Sequence, residues 1–263
     1  MSIGILTVAT NKYINYWIDL VKSAERNIPN FKDINFHVFT NAENMEIIRQ
    51  TDFHDAKITV HEIMDFGWPE ASLLRYEIFC SHKSELTEDY LIHLDADMLF
   101  ITRDLNLFMD FQKTKSMTLV SHPGFWRPGF WQRLGFYTRN IFAFISDLLL
   151  YLRFGGLGSW EINKKSSAFV KRSQRRNYVC GGVWGGERNQ FVAMCELLSK
   201  RVRFDLKNQY VAKWHDESHL NWWASNNNFK LLTPRYCYEP TYKNLAKIHG
   251  LILAVDKGNS FKK

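Results

Sequence analysis

The chain has 263 residues, 46% of them hydrophobic and 23% charged, which suits a single large domain with a real core. Its formal net charge of +7 could favour nucleic acid, anionic lipid or a phosphorylated substrate. The basic residues are scattered outside 164–176 and the C-terminal end, and no RNA-binding, zinc-finger or helix-turn-helix pattern occurs, so nucleic acid is set aside.

Residues 3–9 predict a short buried strand, and 11–24 a helix with apolar residues at helical spacing. Alternation over 34–40 predicts a second strand and 57–63 a third, followed by a helix over 70–84. Residues 90–94 form a short apolar run that ends at Asp95. Strands alternating with helices predict an α/β fold with a mainly parallel sheet, whose ligands bind beyond the carboxyl ends of the strands. Residues 127–158 are rich in Arg and aromatics and contain the apolar stretch 141–152, too short to span a bilayer. Arg127, Arg133, Arg139 and Arg153 surround that stretch, so two readings stand: an interfacial helix on a membrane, or a helix packed on the domain's own core. Further on come a glycine-rich buried segment over 178–186, a helix over 190–200, a late strand over 231–237 and a polar, basic tail over 256–263. The four cysteines, Cys80, Cys180, Cys195 and Cys237, are widely spaced and read as free thiols in a reducing compartment. With no signal-peptide pattern at Met1–Leu6, a cytoplasmic location is expected, peripheral on a membrane if the interfacial reading holds.

Three clusters carry chemistry. In His93-Leu94-Asp95-Ala96-Asp97, carboxylates at i and i+2 diverge on a continuing strand but converge if the chain turns. Converged, Asp95 and Asp97 suit a hard divalent cation, Mn²⁺ or Mg²⁺, which can stabilise a departing diphosphate. The bland alternative is a turn or cap. In Trp214-His215-Asp216-Glu217-Ser218-His219, His215 and His219 share a face if helical, but the zinc-protease pattern needs Glu directly after the first His, and here Asp216 follows. Glu217 reads as a carboxylate aimed at a reacting carbon, or as an acid completing a helix cap. In Gly181-Gly182-Val183-Trp184-Gly185-Gly186, glycines let backbone approach a bulky ligand with Trp184 as a wall, or form a tight turn between strands.

Taken in order, these stretches resemble glycosyltransferase family 6, which includes the blood-group A and B transferases and the α1,3-galactosyltransferases. The resemblance covers nearly the whole chain apart from the aromatic middle, and Trp214 to Asn221 is its most specific part. It implies a single GT-A (Rossmann-like) catalytic domain over 1–263, a UDP-galactose or UDP-N-acetylgalactosamine donor, Mn²⁺, and retention of anomeric configuration. Residue by residue, it places Ala9 and Tyr13 at the nucleotide, Tyr13 against uracil. Trp68 and Arg75 approach the donor; Asp95, Ala96 and Asp97 form the metal motif. His122 in His122-Pro123-Gly124-Phe125 contacts the acceptor sugar. Cys180, Gly181 and Gly182 fall in the donor-selecting segment, Asp216 binds donor hydroxyls, and Glu217 is the catalytic carboxylate. Ser159, Trp184 and Trp214 join the acceptor side, and Lys257 in 256–263 belongs to a closure over UDP. Glycine at 124 and 182 implies room for an acetamide and favours the N-acetylgalactosamine donor. The acceptor is a galactose-containing glycan or glycolipid in α1,3 linkage. Segment 127–158 has no family counterpart, and the membrane anchor of the animal enzymes is not expected. Two other classes compete: a non-catalytic carbohydrate-binding module, and a metal-dependent nuclease or phosphatase, which would want more clustered carboxylates.

Overall fold

The computed structural model describes residues 1–29, 31–67, 69–104 and 107–255. In chain order the elements are β1 (Ile3–Val8), α1 (Tyr13–Asn27), β2 (Ile34–Thr40), α2 (Ala42–Gln50), β3 (Lys57–Glu62), α3 (Glu70–Leu73), α4 (Arg75–Ser81), β4 (Tyr90–Leu94) and β5 (Met98–Phe100). Then follow α5 (Met109–Gln112), β6 (Thr118–Ser121), α6 (Phe130–Arg139), α7 (Ile141–Phe154), β7 (Val179–Glu187), α8 (Arg188–Lys207), α9 (His215–Asn226), β8 (Lys230–Leu232) and β9 (Ile252–Ala254).

Seven strands form one sheet in the order β3-β2-β1-β4-β7-β6-β8. β1 pairs in parallel with β2 and β4, β2 with β3, and β6 with β8, while β7 runs antiparallel to both β4 and β6. Strands β2 and β4 are buried along their whole length, although β2 alternates apolar Ile34, Phe36 and Val38 with polar Asn35 and His37. One apolar layer joins Trp17, Leu20 and Val21 of α1 to Ile5, Phe36 and Phe100. The opposite layer joins Tyr76 and Phe79 of α4 to Trp184, Phe191 and Trp223. This mixed α/β sandwich, helices on both faces of a mainly parallel sheet, is the GT-A (Rossmann-like) architecture.

From β1 the chain winds outward through β2 to β3, then returns across the sheet to β4 on the other side of β1. The loops after β1 and β4 therefore diverge at a topological switch point, and the crevice between them is where an open α/β sheet binds its ligand.

The helix expected over 70–84 is two helices, broken at Leu74, whose N–H reaches the carbonyls of Glu70 and Ser72. The late strand expected over 231–237 ends at Leu232, because Pro234 opens a 3-10 turn over Pro234–Cys237. The segment over 178–186 is a central strand, not a tight turn between strands. Its glycines serve packing: a Cβ at Gly185 would lie 2.6 Å from the Leu91 carbonyl oxygen of β4.

Candidate active site

After β4 the chain does turn at Ala96 and Asp97 before entering β5, which is the condition under which Asp95 and Asp97 converge. Both line a cleft of about 280 Å³ together with Thr10, Asn11, Lys12 and Tyr13 from the loop after β1, and Ser72 and Arg75. Asn11 takes the left-handed conformation, with φ 52°, and is pinned there: its N–H donates to Asn41 Oδ1 at 3.1 Å and its carbonyl accepts from Asn44 Nδ2 at 3.0 Å. That fold-back carries Lys12 and Tyr13 to the cleft, where a nucleotide would meet them.

Arg75 is the hub. It is buried at the start of α4, where Nη1 donates to Asp95 Oδ1 at 2.9 Å and Nε lies 3.3 Å from Asp216 Oδ2. The guanidinium also bonds His93 Nε2, and His93 Nδ1 lies 3.0 Å from the Leu6 carbonyl. Donation from Nδ1 to that carbonyl leaves Nε2 as the acceptor for arginine, a neutral imidazole whose pKa burial and Arg75 push down. One cation thus sits among carboxylates from β4 and α9.

Glu217 lies in the first turn of α9, but its carboxylate turns away from its own helix. Tyr178 Oη donates to Oε1 at 2.8 Å and the Gly181 N–H donates to Oε2 at 2.8 Å. The capping reading is therefore set aside. Burial pushes Glu217 up to about 7, opposed by those two hydrogen bonds. Asp216 is also raised to about 7, by burial first, with Arg75 opposing. The two carboxylates face one site from adjacent positions because Asp216 points to Arg75 while Glu217 points to β7.

Three of the expected acceptor residues gather on the far side of Glu217. Tyr178, which holds Glu217, also contacts the His122 ring, 5.6 Å between centroids, and its Oη lies 3.4 Å from the Ser159 carbonyl. Trp214 Nε1 donates to Ser159 Oγ at 2.6 Å, with the indole still 48% exposed. The Gly124 N–H donates to His122 Nδ1 at 3.1 Å, and burial lowers that imidazole to about 4.

Other expectations need correction. Trp184 is not a wall of the cleft: it is fully buried, stacked on Phe191 at 4.8 Å, with its indole N–H donated to the Gly181 carbonyl. Cys180 is likewise buried in the core. Ala9 is enclosed, its N–H donated to Phe39 and its carbonyl accepting from Thr40 Oγ1, so it positions Thr10 rather than touching a ligand itself. The space beside Gly182 is filled: a Cβ there would meet Met98 Cε at 2.7 Å and Asp95 Oδ2 at 2.9 Å. Beside Gly124 stands the Tyr242 ring, 3.2 Å from such a Cβ. These glycines admit protein groups, so they give no support to an acetamide pocket. Trp68 and Lys257 lie outside the described residues.

The sequence reading missed Tyr178 as a functional side chain, along with Asn11, Lys12 and Ser72. Lys12 and Asn11 were findable, as polar residues directly after a buried parallel strand. Tyr178 was not, because it meets α9 only through tertiary packing, where Asn221 bonds both backbone groups of the adjacent Val179 across 42 positions.

His219 is fully buried with Nε2 3.7 Å from Asp205, while His215 is only half-buried, so the two form no metal pair. Asp95 and Asp97 fit a hard cation of the Mg²⁺ or Mn²⁺ kind. Such ions take one or two carboxylates and complete their octahedron with substrate phosphate and water. Among the described residues no third His, Cys, Asp or Glu joins the two aspartates in a ligand cluster.

A mainly parallel sheet with a carboxylate turn at its switch point defines a GT-A type of nucleotide-sugar transferase fold. Comparison with known proteins sharpens this. Residues 157–261 match the model of glycosyltransferase family 6. The chain is 24% identical over 245 residues to the chicken globoside alpha-1,3-N-acetylgalactosaminyltransferase 1, covering 91% of this chain and 62% of that protein. It is 23% identical to the rat histo-blood group ABO system transferase 1, covering 90% of this chain and 61% of the relative. It is also 23% identical to the O-antigen biosynthesis glycosyltransferase WbnI of Escherichia coli, covering 92% and 90%. Over residues 157–261 the chain thus resembles glycosyltransferase family 6, and it spans about three fifths of the length of the animal relatives.

Proposed function

We propose that this protein is a retaining hexosyltransferase that moves galactose or N-acetylgalactosamine from a UDP-sugar to a galactose-containing glycan or glycolipid in α1,3 linkage, with Mn²⁺ as its metal. One observation carries the reading. A carboxylate, Glu217, is held by Tyr178 and Gly181 within a cluster in which Arg75 joins Asp95 to Asp216. In this reading the Glu217 carboxyl group lies between the Asp95 cleft, as donor site, and the residues around His122 and Trp214, as acceptor site.

In this proposal Asp95 and Asp97 hold Mn²⁺, which supplies charge neutralisation for the departing diphosphate. Arg75 keeps Asp95 oriented and adds positive charge beside the leaving group. A stabilised UDP departs without a protonated acid, unlike the poor leaving group of a glycosidase. Glu217 then meets the electron-deficient anomeric carbon, as a nucleophile or as an ion paired with an oxocarbenium-like centre. His122, neutral and already accepting the Gly124 N–H at Nδ1, carries its proton on Nε2 and donates it to the acceptor, while the Trp214 face packs against a sugar ring. A carbohydrate-binding module would have no use for the buried carboxylate cluster.

The test is UDP release from UDP-galactose and from UDP-N-acetylgalactosamine, each with Mn²⁺ or with chelator, using free galactosides as acceptors. Metal-dependent release from either donor is expected and names it. No release from both, and no Mn²⁺-dependent UDP binding, would overturn the assignment.

The lipid-surface reading of 127–158 is part of the proposal. α7 is exposed almost all round: Phe142 is 80% exposed, Leu149 58% and Leu152 65%. Among its buried residues is Asp147, which is gripped by Arg127 and by Tyr137 Oη at 2.5 Å. Only the C-terminal end of the helix packs on the domain, through Leu150 and the buried Phe154 beside Trp160, Val170 and Tyr178, while most of its apolar side chains face outward. We propose that it rests in an anionic membrane surface, with the exposed Arg139 and Arg153 at headgroup level, next to a lipid-linked acceptor.

A further inference from the structure

We propose that His61, His82 and Glu85 form a second metal site, separate from Asp95 and Asp97, for a borderline transition-metal ion of the zinc type. His61 lies near the end of the edge strand β3, His82 caps α4, and Glu85 follows in the next turn. One ligand atom from each lies within 4.8 Å of the others, the one such trio among the described residues. A tetrahedral ion with bonds of about 2.1 Å spaces its ligands about 3.3 Å apart. The pair His61 Nδ1 and Glu85 Oε2 is already at 3.2 Å. Glu85, with a 55% exposed side chain, can close the remainder, while His82 is half-buried with its ring already edge-on to His61 at 5.1 Å between centroids.

The outer partners prepare both imidazoles as ligands. His82 Nδ1 lies 2.9 Å from the Ile78 carbonyl, so the proton sits on Nδ1 and Nε2 carries the free lone pair. His61 Nε2 lies 2.9 Å from His37 Nδ1, and His37 Nε2 lies 3.1 Å from Glu88 Oε2. Asn35 Nδ2 also lies 3.0 Å from His37 Nε2; with the His37 proton on that nitrogen, directed to the Glu88 carboxylate rather than to the amide, His37 Nδ1 accepts from His61 Nε2–H. That leaves His61 Nδ1 as a lone pair aimed at Glu85. Asn35 completes the relay, donating to Glu88 Oε1 at 2.7 Å while its own Oδ1 accepts from Thr59. A carboxylate–histidine relay behind a ligand histidine is the arrangement that fixes metal-ligand tautomers. Moreover, His61 Nδ1 is fully buried and makes no hydrogen bond with acceptable geometry, despite the nearby carboxylate. A bound cation would satisfy it. Two imidazoles and one carboxylate are the ligand set of a three-coordinate zinc site with an open position. The ion would tie the end of α4 to β3, and α4 is the helix that begins at Arg75.

The experiment titrates Co²⁺ into the metal-free full chain and follows ligand-field absorption, then displaces it with Zn²⁺. To keep the aspartate turn out of the signal, the titration is run in the Asp95→Asn/Asp97→Asn double variant. A tetrahedral Co²⁺ band at one equivalent per chain, lost on Zn²⁺ addition, is expected. Adding Glu85→Gln at the surface, or His82→Ala at the half-buried end of α4, abolishes it while the circular dichroism spectrum is kept. Absence of the band in the double variant, or an unchanged band with His82→Ala, would overturn the site and leave an ordinary ion pair between His61 and Glu85.

Discussion

Glu217 sits in surroundings that work against its own ionisation, and this sets its expected pH behaviour. Its pKa is raised from 4.5 to about 7 by burial. The catalytic form is the carboxylate, so transfer should rise with pH through about 7. Glu217→Gln should cut transfer at least about a hundredfold, the usual cost of losing a nucleophile or charge stabiliser, while UDP binding persists; unchanged transfer would remove Glu217 from the mechanism. Tyr178→Phe offers a finer test. The phenol stabilises the charged form, so its loss raises the Glu217 pKa further and shifts the rising limb of the rate profile to higher pH. A profile left in place would mean that the phenol does not act on Glu217. Stability follows with the opposite sign. A group whose pKa is raised on folding stabilises the fold below its unfolded pKa and loses that stability as pH rises through about 7. Glu217→Gln should therefore stabilise the protein at pH 8 by ~2 kcal/mol and have little effect at pH 5, measured by denaturant unfolding. At this scale the carboxylates themselves were legible, because Asp95, Asp97, Asp216 and Glu217 stand in short dense clusters. Of their partners, Arg75 was named only through the family resemblance, and Tyr178, 39 positions from Glu217, was not singled out.

Elements were legible where one rule dominated. β2 and β4 are found at the bounds read for them, β2 from its alternation over 34–40 and β4 from its apolar run over 90–94. β5 and β9 have only three residues each and owe their existence to pairing with each other, 154 positions apart, which no local pattern carries. α7 was seen as a helix, yet its setting was ambiguous: periodicity cannot say whether an apolar helix faces protein or lipid. The structure leaves its apolar side chains exposed, and the lipid reading makes a specific prediction. The chain should sediment with vesicles containing anionic lipid and stay in solution with neutral ones at the same concentration. Leu148→Ser/Leu149→Ser should weaken binding, since each leucine contributes about 1.5–3 kcal/mol when fully removed from water. High salt should weaken it too, through Arg139 and Arg153. Equal pelleting of the double variant would show that α7 does not carry the contact. Arg127→Ala is a different probe, because it strands the buried Asp147 and should loosen both α6 and α7.

On the scale of the whole molecule, strands alternating with helices already pointed to a parallel sheet and hence to a ligand at its carboxyl edge. What only the three-dimensional structure supplies is the switch point between β1 and β4, which puts Lys12, Tyr13, Arg75, Asp95 and Asp97 around one cleft. The chain is basic overall, at +7, but this corner gathers Asp95, Asp97, Asp216 and Glu217 with Arg75 as the cation bonded among them. Such a corner repels a free diphosphate, and a lone Mn²⁺ finds only two ligand carboxylates there. Each should bind better once the other is present, because the metal neutralises the aspartates and the diphosphate completes its coordination. The consequence is a synergy in thermal stability. UDP with Mn²⁺, at about 100 times its dissociation constant, should stabilise the fold by about 2.7 kcal/mol, or about 5–10 °C for a chain of this size. UDP with chelator, or Mn²⁺ alone, should give much less, and Asp97→Asn should remove the excess while leaving the fold intact. Protection by UDP that is indifferent to chelator would mean that the nucleotide is held by Tyr13, Lys12 and Arg75 without a bridging ion. The role of Asp95 would then be to anchor Arg75 rather than to bind metal.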